Sequence, residues 1–158
     1  MNDQFNHLVT QCINNNKTLA TAESCTGGWI AKCITDVAGS SQIFLGGVVA
    51  YSNALKQSLL NVTVETLETF GAVSEQTVNE MVVGVCRVTN ASVGVAVSGI
   101  AGPGGAVAGK PVGTVYIGVG NSTGQNARRF QFAGDRDAVR WQAVQEAMRM
   151  ILEWVENK

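Results

Sequence analysis

A run of reactive side chains, Glu23-Ser24-Cys25-Thr26, stands between an apolar segment, Thr18-Leu-Ala-Thr-Ala22, and a glycine pair, Gly27-Gly28, that leads into a helical pattern at Trp29-Ile30. Serine and cysteine attack carbonyl carbon once a base removes their proton. The choice of base is narrow. The only histidine, His7, lies on the first helical pattern, far in sequence from every reactive turn, where a solvated position is the default. Neither a Ser-His-Asp nor a Cys-His arrangement is therefore available, and the base is a lysine or a carboxylate. Lysine serves once burial or a neighbouring cation lowers its pKa. Lys56, one turn past a second apolar segment, is placed to reach a neighbouring strand end, and Lys110 in the longest glycine-rich stretch is its competitor. Cys25 is the stronger intrinsic nucleophile, and Glu23, Cys25 and Lys56 together fit the Glu-Cys-Lys logic of some amidases. In an extended chain Glu23 and Cys25 share one side and Ser24 points to the other, so the choice between Ser24 and Cys25 depends on where the turn begins. Ser24 also reads as a helix N-cap, a role Thr26 could take instead. The stretch Ala22-Glu-Ser-Cys-Thr26 does not match the G-x-S-x-G elbow of a hydrolase.

Gly27-Gly28 before a helix suits an anion, because unpaired N–H groups and the helix dipole favour a phosphate; close packing of strand on helix would use the same glycines. Arg136 and Arg140, one turn apart at the start of the final helical pattern, could hold a phosphate or pair with Asp137 and solvent. A solvated face is the default for both, and more so for Arg136. Tyr51, beside Ser52-Asn53, could stack on an aromatic ring, donate a hydrogen bond or pack at the sheet edge.

The elements that must position these groups follow from periodicity. Phe5, Leu8, Val9, Cys12 and Ile13 mark a first helix, capped near Asp3 and stopped by Asn14-Asn-Asn-Lys17. Residues 18–23 read as a strand, and Trp29, Ile30, Cys33 and Ile34 form the buried stripe of the next helix. Gly46-Gly-Val-Val-Ala-Tyr51 reads as a second buried strand, followed by the short helix that carries Lys56. Residues 63–70 form a short helix, and Ser74 caps a longer one with Val78, Met81, Val82, Val85 and Cys86 on its apolar face. Ser92-Val-Gly-Val-Ala-Val-Ser98 is nearly continuous in apolar character and reads as a central strand covered on both faces. After the loop Ser98-Gly-Ile-Ala-Gly-Pro-Gly-Gly105 and on to Pro111, residues 114–119 and 127–132 form an antiparallel hairpin about Ser122-Thr-Gly124. The last helix starts near Asp135 and buries Val139, Ala143, Ala147, Ile151 and Trp154. The pattern predicts an α/β fold, a single three-layer α/β/α sandwich over residues 1–158 with a mixed, mainly parallel sheet. In such a sheet ligands bind outside the carboxyl ends of the strands, where Glu23-Ser24, Tyr51-Ser52 and Ser98-Gly99 all fall.

Composition narrows the function classes. At 158 residues, 46% hydrophobic, 15% charged and a net charge of −1, the chain offers little long-range attraction to nucleic acid. It has no basic n-region before an apolar core and no apolar run near the ~18 residues of a membrane span, so a cytoplasmic protein is expected. Its four cysteines lack metal or disulfide spacing, and Cys12, Cys33 and Cys86 fall at apolar helical positions.

These stretches together resemble the CinA C-terminal domain family, whose characterised members are nicotinamide-nucleotide amidohydrolases. The matching segments are Thr21-Ala-Glu-Ser-Cys-Thr-Gly-Gly28, Val49-Ala-Tyr-Ser-Asn53 with Lys56, Gly71-Ala-Val-Ser74, Val97-Ser-Gly-Ile-Ala-Gly-Pro103, Lys110-Pro-Val-Gly-Thr-Val115, and Gly134-Asp-Arg-Asp137 with Arg140. The resemblance implies hydrolysis of nicotinamide mononucleotide to nicotinic acid mononucleotide and ammonia, with no metal or organic cofactor, in a homo-oligomer. It implies Ser24 as nucleophile, Lys56 as general base and Tyr51 nearby, with Thr26, Gly27, Ser98, Gly99 and Arg140 lining the nucleotide site. Backbone N–H groups near Thr26 or Ser98-Gly99 are the oxyanion donors this chemistry requires. Longer members carry an N-terminal domain resembling molybdopterin-binding proteins, and the present sequence is expected to correspond to the deamidase part alone. The competing expectation is a non-catalytic nucleotide-binding or interaction protein of the same family.

Overall fold

The structure, a computed structural model, describes residues 2–157. Chain order is α1 (Asn2–Asn14), β1 (Leu19–Glu23), α2 (Trp29–Thr35), β2 (Phe44–Val49), α3 (Asn53–Leu60), α4 (Val64–Phe70), α5 (Glu75–Thr89), β3 (Val93–Gly99), β4 (Thr114–Gly120), β5 (Gln125–Gln131) and α6 (Arg136–Asn157). The five strands form one sheet in the order β2-β1-β3-β4-β5. β1 pairs in parallel with both β2 and β3, and the β3/β4 and β4/β5 ladders are antiparallel. Four strands therefore share one direction and β4 alone runs against them. The ladders themselves divide evenly between parallel and antiparallel, because the hairpin β4-β5 adds two antiparallel pairs to a three-stranded parallel unit.

Two apolar cores, one on each face of the sheet, make the three layers. Leu19, Val93, Val95, Val97, Val115 and Ile117 meet α1, α2 and α6 on one side. On the other, Ala20, Ala22 and Ala96 meet α3 and α5 through Leu60, Val78, Met81, Val82 and Val85. The strand residues on the α5 side are small for a reason. A Cβ on Gly94 would lie 2.9 Å from Cys86 Sγ and one on Gly118 3.3 Å from Val78 Cγ2, so the helix lies close against backbone there. Ser52, Thr63 and Ser74 each accept a hydrogen bond from the N–H three residues on and start α3, α4 and α5.

Three readings need correction. The second strand is not buried: β2 is an edge strand whose residues alternate between half-buried and exposed, because its other side has no neighbour. It also begins at Phe44 and ends at Val49, which places Tyr51 in the following turn. Cys33 and Trp154 are half-buried rather than core, since each stands at the margin of its helix's apolar stripe.

Candidate active site

The carboxyl end of β1 carries the reactive turn, and the strand's alternation continues through it. The Ser24 N–H donates to Val97 O at 3.0 Å, which extends the parallel ladder one residue past Glu23. Glu23 and Cys25 consequently fall on the α2/α6 face, and Ser24 falls on the α3/α5 face with Ser98. This parity separates the residues that sequence left in competition.

Glu23 is 1% exposed. Its Oε1 accepts from Thr26 Oγ1 at 2.7 Å and from the Ile30 N–H at 2.9 Å, while Oε2 accepts from the Ala31 N–H at 3.0 Å. Those two amides belong to the first turn of α2, whose N-cap residue Gly28 (φ 101°) offers no side chain. The anion at this helix start is thus the protein's own carboxylate, and the phosphate cradle expected at Gly27-Gly28 is filled from within. Neither Ser24 nor Thr26 caps the helix with its side chain. Glu23 is committed to α2, so a Glu-Cys-Lys arrangement has no free carboxylate here, and Cys25 both packs in the core beside it and lines the cavity. Burial, the largest influence, pushes the Cys25 thiol up to about 12, although Arg140 and Lys56 pull the other way. It is a thiol at neutral pH.

Lys56 comes from the opposite layer. It is the largest of the fully buried side chains, 1% exposed, and its Nζ lies 3.0 Å from Ser24 Oγ, 3.0 Å from Ala50 O and 3.3 Å from Tyr51 O. Among the described residues no carboxylate lies within ion-pair distance of it. Desolvation by burial holds its pKa below the ordinary lysine value. All three partners accept its N–H groups: the Ala50 and Tyr51 carbonyls fix the direction of Nζ, and a third N–H points at the Ser24 hydroxyl oxygen. Lys110, the competitor, instead donates to Phe70 O at 2.7 Å and takes no part in the cavity.

Ser24 and Lys56 open into a cavity of about 280 Å³ whose lining also includes Cys25, Tyr51, Ser98 and Gly99. The structure does not bring all of the expected residues to this lining. Thr26 is fully buried with its hydroxyl on Glu23. Gly27, at φ 61°, is exposed, and a Cβ there would meet Arg140 Nη2 at 3.5 Å. Arg140 works behind the turn: its Nε donates to Cys25 O at 2.9 Å, its Nη2 to Thr26 O at 3.2 Å, and its guanidinium stands 5.4 Å from the Trp29 ring centroid. The arginine on the cavity is Arg136, for which sequence left a phosphate ligand or a solvated face open; it is exposed and stands at the rim. Its Nη1 donates to Gly102 O at 2.8 Å and its Nη2 to Tyr51 Oη at 3.0 Å. No periodic signal distinguishes it, because both partners come from distant loops. Among the described residues no group of His, Cys, Asp and Glu is placed to hold a metal, and no helix is long and apolar enough to cross a membrane.

The three-layer α/β/α sandwich buries a serine and a lysine in contact at the carboxyl ends of parallel strands, in a cavity whose lining has no histidine. The chain belongs to the CinA C-terminal domain family, which it matches over residues 2–155. It is 50% identical over 150 residues to the nicotinamide-nucleotide amidohydrolase PncC of Escherichia coli K12, covering 94% of this chain and 91% of that protein. It is 54% identical to the PncC of Enterobacter agglomerans, over 86% of this chain and 84% of that one. Against the CinA-like protein of Thermotoga neapolitana, 44% identical, the match takes in 100% of this chain but only 39% of the longer protein. A CinA superfamily protein of known structure from Klebsiella pneumoniae superimposes with a TM-score of 0.96 at 35% identity, over 99% of this chain and 98% of that chain.

Proposed function

We propose that this chain hydrolyses the carboxamide of nicotinamide mononucleotide to nicotinic acid mononucleotide and ammonia, with Ser24 as nucleophile and Lys56 as general base. The observation that carries the mechanism is the 3.0 Å contact between Lys56 Nζ and Ser24 Oγ, at a buried site where desolvation lowers the lysine pKa. The substrate follows from the names of the E. coli and E. agglomerans relatives.

The steps balance on these residues. The Lys56 amine takes the Ser24 proton as Oγ attacks the carboxamide carbon, and the resulting ammonium gives that proton to the departing nitrogen, releasing ammonia and leaving an acyl-serine. Lys56 then takes a proton from water, hydroxide attacks the ester carbon, and the proton returns to Oγ as the carboxylic acid leaves and gives its own proton to solvent. The Ser24 and Gly27 N–H groups are engaged with Val97 O and Ser24 O, so the N–H of Cys25, the residue directly after the nucleophile and part of the cavity lining, is the oxyanion donor in this reading. Ser98 and Gly99 form the opposite wall. Arg140 with Thr26 and Gly27 acts from behind, fixing the turn rather than touching the ligand. The homo-oligomer and cytoplasmic setting belong to the same proposal. Its supporting feature is the uncharged β2 edge with Leu45 and Val49 exposed, in contrast to the opposite edge strand β5, which carries Arg128 and Arg129. Sedimentation showing a monomer at micromolar concentration overturns that part.

Ammonia release from nicotinamide mononucleotide by the wild type and by Ser24→Ala and Lys56→Ala tests the chemistry. Both variants are expected to lose turnover while still binding nucleotide, and near-wild-type turnover in either removes that residue from its role. Nucleotide binding by the wild type with no ammonia release over hours turns the reading to a non-catalytic binding protein.

A further inference from the structure

We infer that Arg136 is the anion anchor of this cavity, holding the phosphate of the nucleotide and setting a preference for the nucleotide over its nucleoside. The identity of the ligand rests on the amidohydrolase reading above. The placement of charge does not.

The cavity lining contains two cationic residues, Lys56 and Arg136, and no carboxylate. They sit at opposite depths: Lys56 is 1% exposed at the floor, whereas Arg136 is an exposed residue at the rim. The N–H groups of Lys56 are taken up by Ser24 Oγ, Ala50 O and Tyr51 O at the buried floor, so the guanidinium is the accessible cation of the lining. Its hydrogen-bond partners, Gly102 O and Tyr51 Oη, are neutral acceptors, so they orient the group without cancelling its charge. Among the described residues it has no carboxylate within 4.0 Å, although Asp135 and Asp137 flank it in sequence. Two of its five N–H donors are used and about three remain for a ligand, in a fork that fits phosphate oxygens.

The two partners also explain why the charge is held still. Tyr51 stands in the β2/α3 connection and Gly102 in the loop after β3, so Arg136 ties together the two walls that flank the opening. A ligand with a neutral carboxamide at one end and a dianion at the other enters amide first: the amide reaches the buried serine, and the phosphate stays at the hydrated rim, where its desolvation is least. A free nicotinamide or the riboside would fill the floor but leave the guanidinium unpaired.

The test is the ratio of kcat/KM for nicotinamide mononucleotide to that for nicotinamide riboside, by ammonia release, in the wild type, Arg136→Gln and Arg136→Lys. Removing a charge-assisted phosphate contact corresponds to roughly 10- to 100-fold in affinity. The wild-type ratio is expected to exceed tenfold, to fall to near unity in Arg136→Gln mainly through a higher KM for the nucleotide, and to recover in part in Arg136→Lys. A wild-type ratio near unity overturns the inference, and so does a parallel loss on both substrates, which marks a purely structural arginine. Calorimetry of the wild type with the two compounds separates this from the parent proposal. At least tenfold tighter binding of the nucleotide without any ammonia release would uphold the anchor and sink the amidohydrolase reading.

Discussion

Glu23 adjoins Ser24, and its carboxylate fills the start of α2, so Glu23→Ala is the perturbation with the largest calculable effect. It deletes three hydrogen bonds to a charged acceptor at a site 1% exposed. At about 1.5 kcal/mol each the loss is roughly 4.5 kcal/mol, since the orphaned Thr26 hydroxyl and Ile30 and Ala31 N–H groups have no nearby replacement. In a domain of this size each kcal/mol moves Tm by about 2–4 °C, so the expected fall is about 9–18 °C by calorimetry or circular dichroism. Glu23→Gln keeps an oxygen at Oε1 for Thr26 and Ile30 but turns an amide N–H₂ toward the Ala31 N–H. One bond of three is lost, and the fall is roughly 3–6 °C. Activity is expected to drop in both variants in step with the loosened turn, because displacing the nucleophile by about 1 Å costs up to 100-fold. A Glu23→Ala melting point within about 2 °C of wild type would refute the capping argument. Loss of activity in Glu23→Gln with an unchanged melting point would return Glu23 to a catalytic role.

In the proposed mechanism Lys56 carries the pH dependence. Its folded pKa is lowered, so the unfolded chain binds the proton more tightly and the buried amine opposes folding below the free-lysine value of 10.5. Urea unfolding should show wild type gaining stability relative to Lys56→Met as pH rises from 7 towards that value, and a constant difference would contradict the shift. For the same reason kcat/KM should rise with pH through an acid limb whose midpoint lies below 10.5; a limb centred at or above it would remove the neutral-amine base. Cys25→Ala should retain turnover within about threefold, because a thiol held protonated is a poor nucleophile at neutral pH, and loss of activity in a folded Cys25→Ala protein would restore the cysteine. Gly84→Ala would place a Cβ 2.1 Å from Leu60 O and 2.7 Å from Leu60 C, both backbone atoms. α5 must then move off the end of α3, at about 1–3 kcal/mol or roughly 2–12 °C in Tm, with turnover falling because α3 carries Lys56; an unchanged melting point would show that the helices part freely.

Much of the scaffold was legible because it rests on local signals. Ser74 is followed by a clear helical stripe, the apolar run at 92–98 reads as central, and the Ser122-Thr-Gly124 turn joins two alternating segments; all three hold. The edge position of β2 was not legible. Phe44-Leu-Gly-Gly-Val-Val49 is as apolar as a buried strand, and only the sheet order shows that one side lacks a neighbour. The role of Glu23 was hidden for a related reason, since a carboxylate before a reactive serine reads as chemistry until the helix it caps is seen to lack a capping side chain of its own.

The two arginines of α6 show where sequence spacing stops discriminating. Arg136 and Arg140 are four residues apart, so they lie nearly on one face of the helix and differ by about 6 Å along its axis. That step decides their work. Arg140 reaches the carbonyls of Cys25 and Thr26 and braces the turn from behind, while Arg136 reaches the rim, where Tyr51 and Gly102 arrive from 85 and 34 residues away in sequence. A charged helix residue is solvated by default, and Arg136 is exposed; what spacing could not show is that two remote neutral acceptors orient its guanidinium without neutralising it. The same separation applies across the whole site. Residues that fix the backbone of the turn, Glu23, Thr26 and Arg140, face the α2/α6 layer, and Ser24 and Lys56, which would carry the proton transfer, meet on the α3/α5 side of the sheet. Substitutions in the first group should therefore move stability and activity together, whereas those in the second should remove turnover without comparable loss of fold.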